Sequence, residues 1–522
     1  MKKTMKQHSF ASRLKSLALV FGIALAFASC ANEDIAQNPN GTDNNKNFTI
    51  FSTGDPATRT SMESNGAFYW EAGDKIWVKD DNGTWQQSRN APTEKTASFK
   101  FEVPGKFTKT STYKVYYPGQ NGNQNQVTIA ANQSQAEPNT TAHFGTSGDC
   151  GMADAAWSNA KNGFAFTLDH KAAYLLFLPR TSNTILHDCY LTKVEVNSDN
   201  DITSTYTLNP TTGELTGTGT DKQITVELGG SGTYANGFPL TNNATSAATN
   251  GAYVVIKPGT HTLKIRYWVK DVATWVEGTI TKILSSATYD QNKYYNITAN
   301  LDVRDYDGDH YYMWDAQEQY WKGYEWTKHL PGNTGQPTVN SNRSPNFAMN
   351  NSDVSRWYHE GGGTGIRFDA TRTCATLPNV NEMTWYAHNG DPRWDRDELW
   401  TTMGHLYKGG MWFKKKAYIS GFNANTAVDG TDWRIGNSDM SNGASYTLPS
   451  AAEASNYFYL PALGIYDKGL LDDVGNRGNY WSSSAVASGN RYAYVMEIYR
   501  GTARVQTYTD RYYGCRIAPL FE

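Results

Sequence analysis

The chain has 522 residues, a formal net charge of −3 and a sequence pI of about 6.4. This length predicts two or three domains, and a near-neutral chain without a basic patch argues against nucleic acid as a partner. Aromatic residues make up 13% of the chain, with 33 Tyr, 16 Trp and 46 Gly. Because Tyr, Trp and Thr favour strands while Gly and Asn favour turns, the composition predicts a secreted, mainly β protein.

The N-terminal segment, residues 1–29, has the pattern of a signal peptide. Basic residues precede an apolar core at residues 17–27, which is too short to span a bilayer. The following sequence FASC resembles a bacterial lipobox, which implies that Cys30 receives lipid, palmitate included, and becomes the mature N-terminus. The acidic residues after it resemble the sequence that sends Bacteroidetes lipoproteins to the cell surface, which implies a surface-exposed outer-membrane location. An ordinary secretory signal with a chance cysteine is the alternative.

A polar, Asn-rich segment follows at residues 30–47. It lacks the apolar pattern that a core requires, and it is therefore predicted to be a flexible tether.

Between residues 48 and 303, strand-forming runs alternate with turn sequences, and helical periodicity is almost absent. The sequence DNG at residues 81–83 predicts a hairpin, and TLNPTTGEL at residues 207–215 predicts two strands around a turn. Many short strands at regular spacing indicate β-sandwiches. Longer strands are predicted at residues 170–179, 190–196, 261–269, 275–284 and 293–303.

Three sequences in this region, in their order and spacing, resemble the fimbrillin-like (Mfa-like) family of Bacteroidetes, the subunits of surface pili. They are WEAGDKIWV, FTLDHKAAYLLF and TLKIRYWV…GTITKIL…YDQNKYYNITANL. The resemblance covers about residues 48–303. It implies two β-sandwich lobes, at residues 48–165 and 166–303, and other pilin subunits as partners.

The same resemblance implies an assembly mechanism. A trypsin-like protease cuts the precursor, its first strand leaves with the anchor, and a strand of a neighbouring subunit replaces it, which is β-strand addition. The candidate cleavage site is Arg59–Thr60 in GDPATRTSM, and the strand lost would be FTIFST at residues 48–53. Alternatively, Arg59 is a solvated loop residue and the anchor stays.

The C-terminal region, residues 304–522, begins with a run of acids that invites a calcium-loop interpretation. Asp305, Asp307 and Asp309 alternate as carboxylate ligands would. The spacing fails an EF-hand because no Gly occupies the sixth position and Ala316 occupies the twelfth. A solvated turn between domains is therefore favoured, and no metal site is predicted.

The best helix pattern in the chain begins at Asn379. Glu382 stands three residues later, as a capping box requires, which predicts a helix at residues 380–387 that ends at NGDP. Strands separated by Gly turns are predicted at residues 457–485 and 492–520.

The sequences DYDGDHYY, LPNVNEM, FYLPALG…GNYWSSS and GCRIAP resemble the FISUMP-type modules of Bacteroidetes. These modules belong to the C-type-lectin-like fold, which formylglycine-generating enzymes also use. The resemblance covers about residues 304–522 and implies an α+β binding domain. The predicted fold class is thus mainly β, with two β-sandwich lobes followed by a C-type-lectin-like domain.

Apart from Cys30, the chain has four cysteines, which can pair in three ways in an oxidising compartment. Pairing of Cys150 with Cys189 and of Cys374 with Cys515 is favoured because each pair lies within one of the two resembling regions. A disulfide from the first helix region to the last strand, which is common in the C-type-lectin-like fold, supports the second pair. Buried reduced thiols are the alternative.

No enzyme motif stands out, and neither a catalytic residue nor a cofactor is predicted. The chain lacks G-x-S-x-G, a phosphate-binding loop and the paired terminal cysteines of formylglycine-generating enzymes. Aromatic and acidic residues near the predicted helix and in the loop-rich stretch after it favour ligand binding instead, although core packing is the common fate of such aromatics. The candidate ligand-binding residues are Trp385, His388, Asp391, Trp394, Asp395, Trp412 and Trp433.

The sequence therefore predicts a minor or tip subunit of a fimbrium, an adhesin whose C-terminal domain binds an unknown glycan or protein. The chain ends within a predicted module without an evident strand to donate, which fits a tip position. The alternative is an outer-membrane lipoprotein that stays anchored at Cys30 and captures glycans. An enzyme of the formylglycine-generating type is a distant third possibility.

Overall fold

A computed structural model describes residues 47–53, 61–62, 68–306, 308–325, 346–517 and 521–522. Residues 47–522 group as one compact unit. Strands dominate it, as predicted, and the longest described helix has 10 residues. In the described part of the chain, no helix combines the length and apolarity that a membrane crossing needs. The predicted lipidation site, Cys30, and the predicted cleavage site, Arg59–Thr60, lie outside the described residues.

The N-terminal strands form a sheet with the order β5-β4-β7-β10-β11-β1-β6, and β12 pairs with β10. The elements up to this point are β1 (Thr49–Thr53), β2 (Ser61–Met62), β3 (Phe68–Tyr69), β4 (Trp77–Lys79), β5 (Trp85–Gln87), β6 (Lys100–Val103), β7 (Tyr113–Tyr117), β8 (Gln126–Ile129), β9 (Asn132–Gln135), α1 (Phe144–Ser147), β10 (Gly151–Ser158), β11 (Gly163–Phe166) and β12 (Asp169–His170).

This first sheet folds over on itself around an aromatic core. Strands β1 and β7 are separated by β10 and β11, so a flat sheet would hold them about 14 Å apart. The rings of Phe51 in β1 and Tyr113 in β7 nevertheless lie 6.5 Å apart, centroid to centroid. The predicted DNG hairpin is confirmed, because β4 and β5 pair antiparallel on either side of Gly83, which has a φ of 75°.

The middle of the chain forms two sheets that share one hydrophobic core. A three-stranded sheet, β19-β13-β22, packs on the strands β21-β20-β14-β17-β9 of a longer sheet. The rings of Phe177 and Tyr267 meet between them at 5.8 Å. The elements are β13 (Ala173–Arg180), β14 (Cys189–Ser198), β15 (Ser204–Leu208), β16 (Leu215–Thr216), β17 (Gln223–Leu228), β18 (Phe238–Pro239), α2 (Ala247–Asn250), β19 (Ala252–Ile256), β20 (Gly259–Asp271), β21 (Glu277–Tyr289) and β22 (Lys293–Asn300).

The strands predicted in this region are confirmed, with longer bounds for β14, β20 and β21. Strands β8 and β9 precede the predicted lobe boundary at residues 165 and 166, yet they pair with β15 and β17. The second lobe therefore takes two strands from the N-terminal side of that boundary. Their apolar side chains, Val127 and Ile129 among them, are buried in its core.

The C-terminal region combines a six-stranded sheet, β23-β33-β30-β31-β32-β26, with one main helix. Its strands β27, β25 and β24 extend the long sheet of the second lobe, because Thr279 of β21 pairs with Glu398 of β24. The elements are β23 (Tyr311–Tyr312), α3 (Val380–Asn389), β24 (Arg393–Thr402), β25 (His405–Lys414), β26 (Met440–Gly443), β27 (Tyr457–Pro461), β28 (Ile465–Asp467), β29 (Leu470–Asp472), β30 (Arg477–Ala485), β31 (Tyr492–Tyr499), β32 (Thr502–Asp510) and β33 (Cys515–Arg516).

The predicted helix start is confirmed in α3. The Asn379 side chain accepts a hydrogen bond from the Glu382 amide at 3.1 Å, and the Glu382 carboxylate accepts one from the Asn379 amide at 2.9 Å. This capping box satisfies two backbone donors that a helix start would otherwise leave unpaired. Gly390 is the residue at which the helix ends.

The predicted disulfides are absent from the structure. The four cysteines are buried free thiols: Cys150, Cys189, Cys374 and Cys515. The Cys189 sulfur donates to the Ile185 carbonyl at 3.5 Å, and the Cys374 sulfur accepts from the Asp315 amide at 3.2 Å. Burial raises the pKa of all four thiols. The alternative of small buried hydrophobes therefore describes these residues.

The acidic run at residues 305–309 is part of a connection. The Asp305 carboxylate accepts a hydrogen bond from the Thr401 hydroxyl at 2.9 Å, and Asp309 lies in a short 3-10 turn. Asp307 lies outside the described residues. No group of three or more His, Cys, Asp or Glu side chains in the described ranges is placed to hold a metal ion.

Candidate functional sites

Strand β1 lies inside the first sheet, between β6 and β11. It runs antiparallel to β6, with Phe51 opposite Phe101, and parallel to β11, with Phe51 opposite Phe164. Both edges of β1 are therefore paired to a neighbouring strand. It is the first described strand in chain order.

Phe51 is the anchor of this strand. Its side chain is fully buried, and its ring centroid lies 5.0 Å from that of Phe164, 5.1 Å from Phe107 and 6.5 Å from Tyr113. Burying a side chain of this size contributes about 1.5–3 kcal/mol to stability. The sheet therefore offers a specific aromatic pocket to the third residue of β1.

The two polar residues at the end of β1 differ in their hydrogen bonding. The Thr53 hydroxyl accepts a hydrogen bond from the Phe99 amide at 2.9 Å, and the Thr53 carbonyl accepts one from the Lys161 ammonium at 2.6 Å. The hydroxyl of Ser52, in contrast, is buried without a hydrogen-bond partner among the residues that the structure describes. Such a group costs about 1–3 kcal/mol, so the sequence of β1 does not fill its place in the sheet optimally.

The arrangement is a strand-shaped slot. If β1 left, β6 and β11 would each expose a row of unpaired backbone groups together with the aromatic pocket of Phe51. An extended segment with an apolar residue at its third position could restore both, by the physics of β-strand addition.

The predicted ligand-binding residues near the end of α3 are accessible to different degrees. His388 is exposed, and its Nδ1 lies 2.6 Å from the Asn389 side-chain oxygen. Trp385 is half-buried, and its indole N–H donates to the Thr426 carbonyl at 2.9 Å. Both side chains are held by the protein yet remain in reach of solvent.

Asp391 is committed to a polar cluster beside this helix end. Its carboxylate accepts hydrogen bonds from the Arg393 guanidinium at 2.8 Å and from the Tyr457 hydroxyl at 2.6 Å. Partial burial raises the pKa of Asp391, but these two hydrogen bonds outweigh it and hold the pKa below its ordinary value. Asp391 is therefore ionised, and its hydrogen bonds hold the start of strand β24 in place.

The remaining candidates occupy separate places. Trp433 is 5% exposed, and its indole N–H donates to Asp429 at 2.9 Å, so this residue packs in the core instead of facing a ligand. Trp394 is also buried, but it lines a cavity of about 560 Å³. Asp395 and Trp412 lie at the boundary with the second lobe. The structure thus does not bring the seven residues into one binding surface.

Asp395 pairs across that boundary with Arg266 of β20. The guanidinium donates to both carboxylate oxygens, at 3.0 and 3.2 Å, and the Trp412 indole N–H donates to one of them at 3.2 Å. The Arg266 and Asp395 side chains are 8% and 2% exposed. Removal of one partner from such a buried ion pair is strongly destabilising. The pair therefore fixes the C-terminal region to the lobe.

Glu398 completes this buried joint. Its carboxylate accepts hydrogen bonds from the Thr281 amide at 2.9 Å, from the Thr281 hydroxyl at 2.6 Å and from the Thr279 hydroxyl at 3.1 Å. Burial, followed by the charge of Asp395, raises the pKa of Glu398 to about 7. Sequence analysis did not single out Arg266 or Glu398, because neither is part of a local motif.

A buried arginine organises the Gly-rich sequence HEGGGTG. Arg511 is fully buried, and its guanidinium donates to the carbonyls of His359 and Gly361 at 3.0 Å and stacks over the Trp314 ring at 4.5 Å. Burial lowers the pKa of Arg511 to about 10. This loop is therefore a structural element held by backbone contacts.

Comparison with known proteins gave structural neighbours only. No family profile matches the chain, and no curated protein matches it. A candidate cell adhesion protein of Bacteroides ovatus has 15% identity and a TM-score of 0.29, over 48% of this chain and 93% of its own. The fimbrial anchor protein Mfa2 of Porphyromonas gingivalis has 11% identity and a TM-score of 0.22, over 46% and 83%.

A fimbrial protein of Bacteroides ovatus extends over more of the molecule. It covers 90% of this chain and 98% of its own, with 10% identity and a TM-score of 0.25. TM-scores of this size do not establish a shared fold.

Proposed function

We propose that the chain is a non-enzymatic, cell-surface fimbrial subunit that assembles by strand exchange at the β1 slot. The observation that supports this most directly is the position of β1, paired on both edges yet first in the described unit. A single cut after β1 would free it without breaking any other described element. A strand from another subunit would then pair with β6 and β11 and insert an apolar side chain where Phe51 lies.

The proposed sequence of events begins at the outer membrane. Lipid on Cys30 anchors the precursor, and cleavage at Arg59–Thr60 releases the body together with its empty slot. The unfilled slot is a strong driving force for assembly, because two strand edges and an aromatic pocket are exposed to water until a partner strand enters.

The test is the N-terminus of the protein recovered from pili and from the cell surface, by intact mass and N-terminal sequencing. A chain that begins at Thr60 without lipid is expected in pili. Arg59→Gln should retain residues 30–59 and fail to enter pili, whereas Lys106→Gln, which changes an exposed cation of the same lobe, should be processed normally. Arg59→Gln protein that enters pili at the normal level would contradict strand exchange at this site.

The second candidate function is an anchored surface lipoprotein that captures glycans. The same strand favours it in one respect, because with β1 paired on both sides the uncut chain is already a complete fold. A lipidated chain beginning at Cys30, recovered only from the outer membrane, would support this function over pilus assembly.

We further propose that the C-terminal region, residues 304–522, is a lectin-like module that binds the ligand of the fimbrium. Its accessible aromatic and polar side chains, such as Trp385 and His388, support a binding role for the surface at the end of α3. Alanine substitution of both residues is expected to weaken adhesion to a ligand-bearing surface without changing the amount of pilus. Unchanged adhesion would show that the surface at the end of α3 does not bind the ligand.

A further inference from the structure

The charged side chains that line the Trp394 cavity, among the described residues, are all basic. It opens beside the β24–β25 hairpin and has a volume of about 560 Å³, within the range of small-molecule sites. Three basic side chains line it, Arg396, Lys408 and Arg500, and no acidic side chain of the described residues does. The chain as a whole has a net charge of −3, so this concentration of positive charge is a local feature.

The two arginines of the cavity are available to a ligand. No carboxylate of the described residues forms an ion pair with Arg396 or Arg500. Asn476, which also lines the cavity, accepts a hydrogen bond from the Arg500 guanidinium and orients it. Most other arginines of this region are paired, as Arg477 is with Glu497 at 2.9 Å. Two guanidinium groups that line one cavity and form no ion pair with a described carboxylate are therefore suited to bind an anion.

Lys408 supplies a third cation that is only partly neutralised. Its ammonium donates to the Glu277 carbonyl at 2.6 Å and lies 3.4 Å from the Asp397 carboxylate. The backbone contact fixes the ammonium at the cavity wall, and the longer carboxylate contact leaves it able to attract a second anion.

An aromatic side chain forms an exposed part of the same wall. Tyr446 is 55% exposed, and the Arg396 guanidinium lies 5.8 Å from its ring centroid. The Tyr446 hydroxyl packs against Gly501, which has a φ of 75°. A Cβ at position 501 would lie 2.8 Å from that hydroxyl, so glycine allows the contact. Tyr446 therefore presents a flat apolar face beside the cationic groups.

We propose that this cavity binds an acidic saccharide, a sugar that bears a carboxylate or a sulfate group. Arg396 and Arg500 would bind the anionic group through paired N–H donors, and the Tyr446 ring would pack against the apolar face of the sugar ring. The proposal rests on the proposed function, in which the C-terminal module binds a ligand, and it adds to that module a second site, lined by other residues than the surface at the end of α3, and names its ligand chemistry. A cavity of about 560 Å³ with aromatic side chains in its wall favours a saccharide over an extended acidic peptide, which would need a groove.

Sequence analysis identified only Trp394 among these residues. Tyr446 and Arg500 are far apart in the chain and belong to no common motif, so nothing in their spacing indicates a shared site. The cavity exists only because the β24–β25 hairpin, the loop before β30 and the turn after β31 meet in the fold.

The experiment is a calorimetric titration of the full chain, in detergent, with lactose, sialyl-lactose and sulfo-lactose. Sialyl-lactose adds a carboxylate-bearing sugar to lactose and sulfo-lactose adds a sulfate group, so the two acidic probes distinguish a carboxylate from a sulfate. At least one is expected to bind about ten-fold more tightly than lactose, as charge-assisted hydrogen bonds would give. Arg500→Gln should remove this advantage. Arg372→Gln, which changes an exposed arginine of the same region outside the cavity, should not.

Several results would overturn the proposal. They are equal binding of the three sugars, no binding of any of them, tighter binding of a short poly-glutamate peptide, or an equal loss in Arg500→Gln and Arg372→Gln. Thermal unfolding of each variant shows whether it is folded, and Tyr446→Ala provides a second test by weakening the acidic sugars without removing a charge. Pilus incorporation of the same variants is expected to be normal, so a failed titration is distinguishable from failed strand exchange.

Discussion

Ser52 is the residue at which β1 fits its sheet least well. Its buried hydroxyl lacks a hydrogen-bond partner in the described part of the chain, while the neighbouring Phe51 fills an aromatic pocket. In the proposed strand exchange, the replacing strand would then need to offer only slightly better contacts.

We expect Ser52→Ala to stabilise the uncut protein by about 1–2 kcal/mol, because the variant no longer buries an unsatisfied hydroxyl. The measurement is urea unfolding at constant pH. Ser98→Ala, at an exposed position near the same sheet, is the control and should change stability little. A destabilised Ser52→Ala would mean that the hydroxyl makes a favourable contact in solution.

Glu398 makes the free energy of unfolding depend on pH. Its folded-state pKa of about 7 lies above the ordinary value of 4.5, so the folded protein binds more protons than the unfolded chain between these limits. The free energy of unfolding therefore falls as the pH rises from about 4.5 to 7, by up to about 3 kcal/mol from this group.

Glu398→Gln is expected to flatten that part of the pH profile, since an amide keeps an acceptor for Thr281 and does not ionise. The midpoint of thermal unfolding, measured between pH 4.5 and 8, should then vary less than in the wild type. Glu94→Gln, at an exposed position, should leave the profile unchanged. A Glu398→Gln profile as steep as that of the wild type would assign the dependence to other groups.

At the scale of elements, β1 is held chiefly by one side chain. Phe51→Ala is expected to cost about 3–5 kcal/mol, because it removes a fully buried ring and leaves a cavity. Phe48→Ala, at a less buried position outside the strand, is the matched control and should cost much less. Urea unfolding measures both, and similar losses for the two variants would argue against a specific pocket at Phe51.

Local patterns predicted individual elements well. The capping box of Asn379 and Glu382 and the turn at Gly83 involve neighbours in sequence, and the structure confirms both. Alternation of apolar residues likewise located the strands of the second lobe, since each strand buries one face whichever partner it finds.

Long-range partners could not be predicted in the same way. Arg266 and Asp395 are 129 positions apart, and nothing in the local sequence of either indicates the other. The same limit explains why β8 and β9 were expected in the first lobe, and why Asp395 was expected to face a ligand. Burial of an acidic residue depends on its partner, and the partner is known only from the fold.

At the scale of the whole molecule, the second lobe and the C-terminal region are joined by a continuous sheet and a buried ion pair. Strands β21 and β24 pair at Thr279 and Glu398, directly beside the contact of Arg266 with Asp395. A joint with both features should transmit unfolding from one side to the other, and it would hold the C-terminal region rigidly on the second lobe.

Arg266→Leu tests this joint, because it leaves the Asp395 carboxylate buried without its cation and should cost about 3–5 kcal/mol. The double variant Arg266→Leu/Asp395→Leu should recover most of that loss, since no charge is then left unpaired. Arg89→Leu breaks a surface pair with Glu102 and should cost less than about 1 kcal/mol. Scanning calorimetry is expected to show the lobe and the C-terminal region unfolding together in the wild type and separately in Arg266→Leu. A single transition in Arg266→Leu, with unchanged enthalpy and midpoint, would show that the continuous sheet alone couples the two parts.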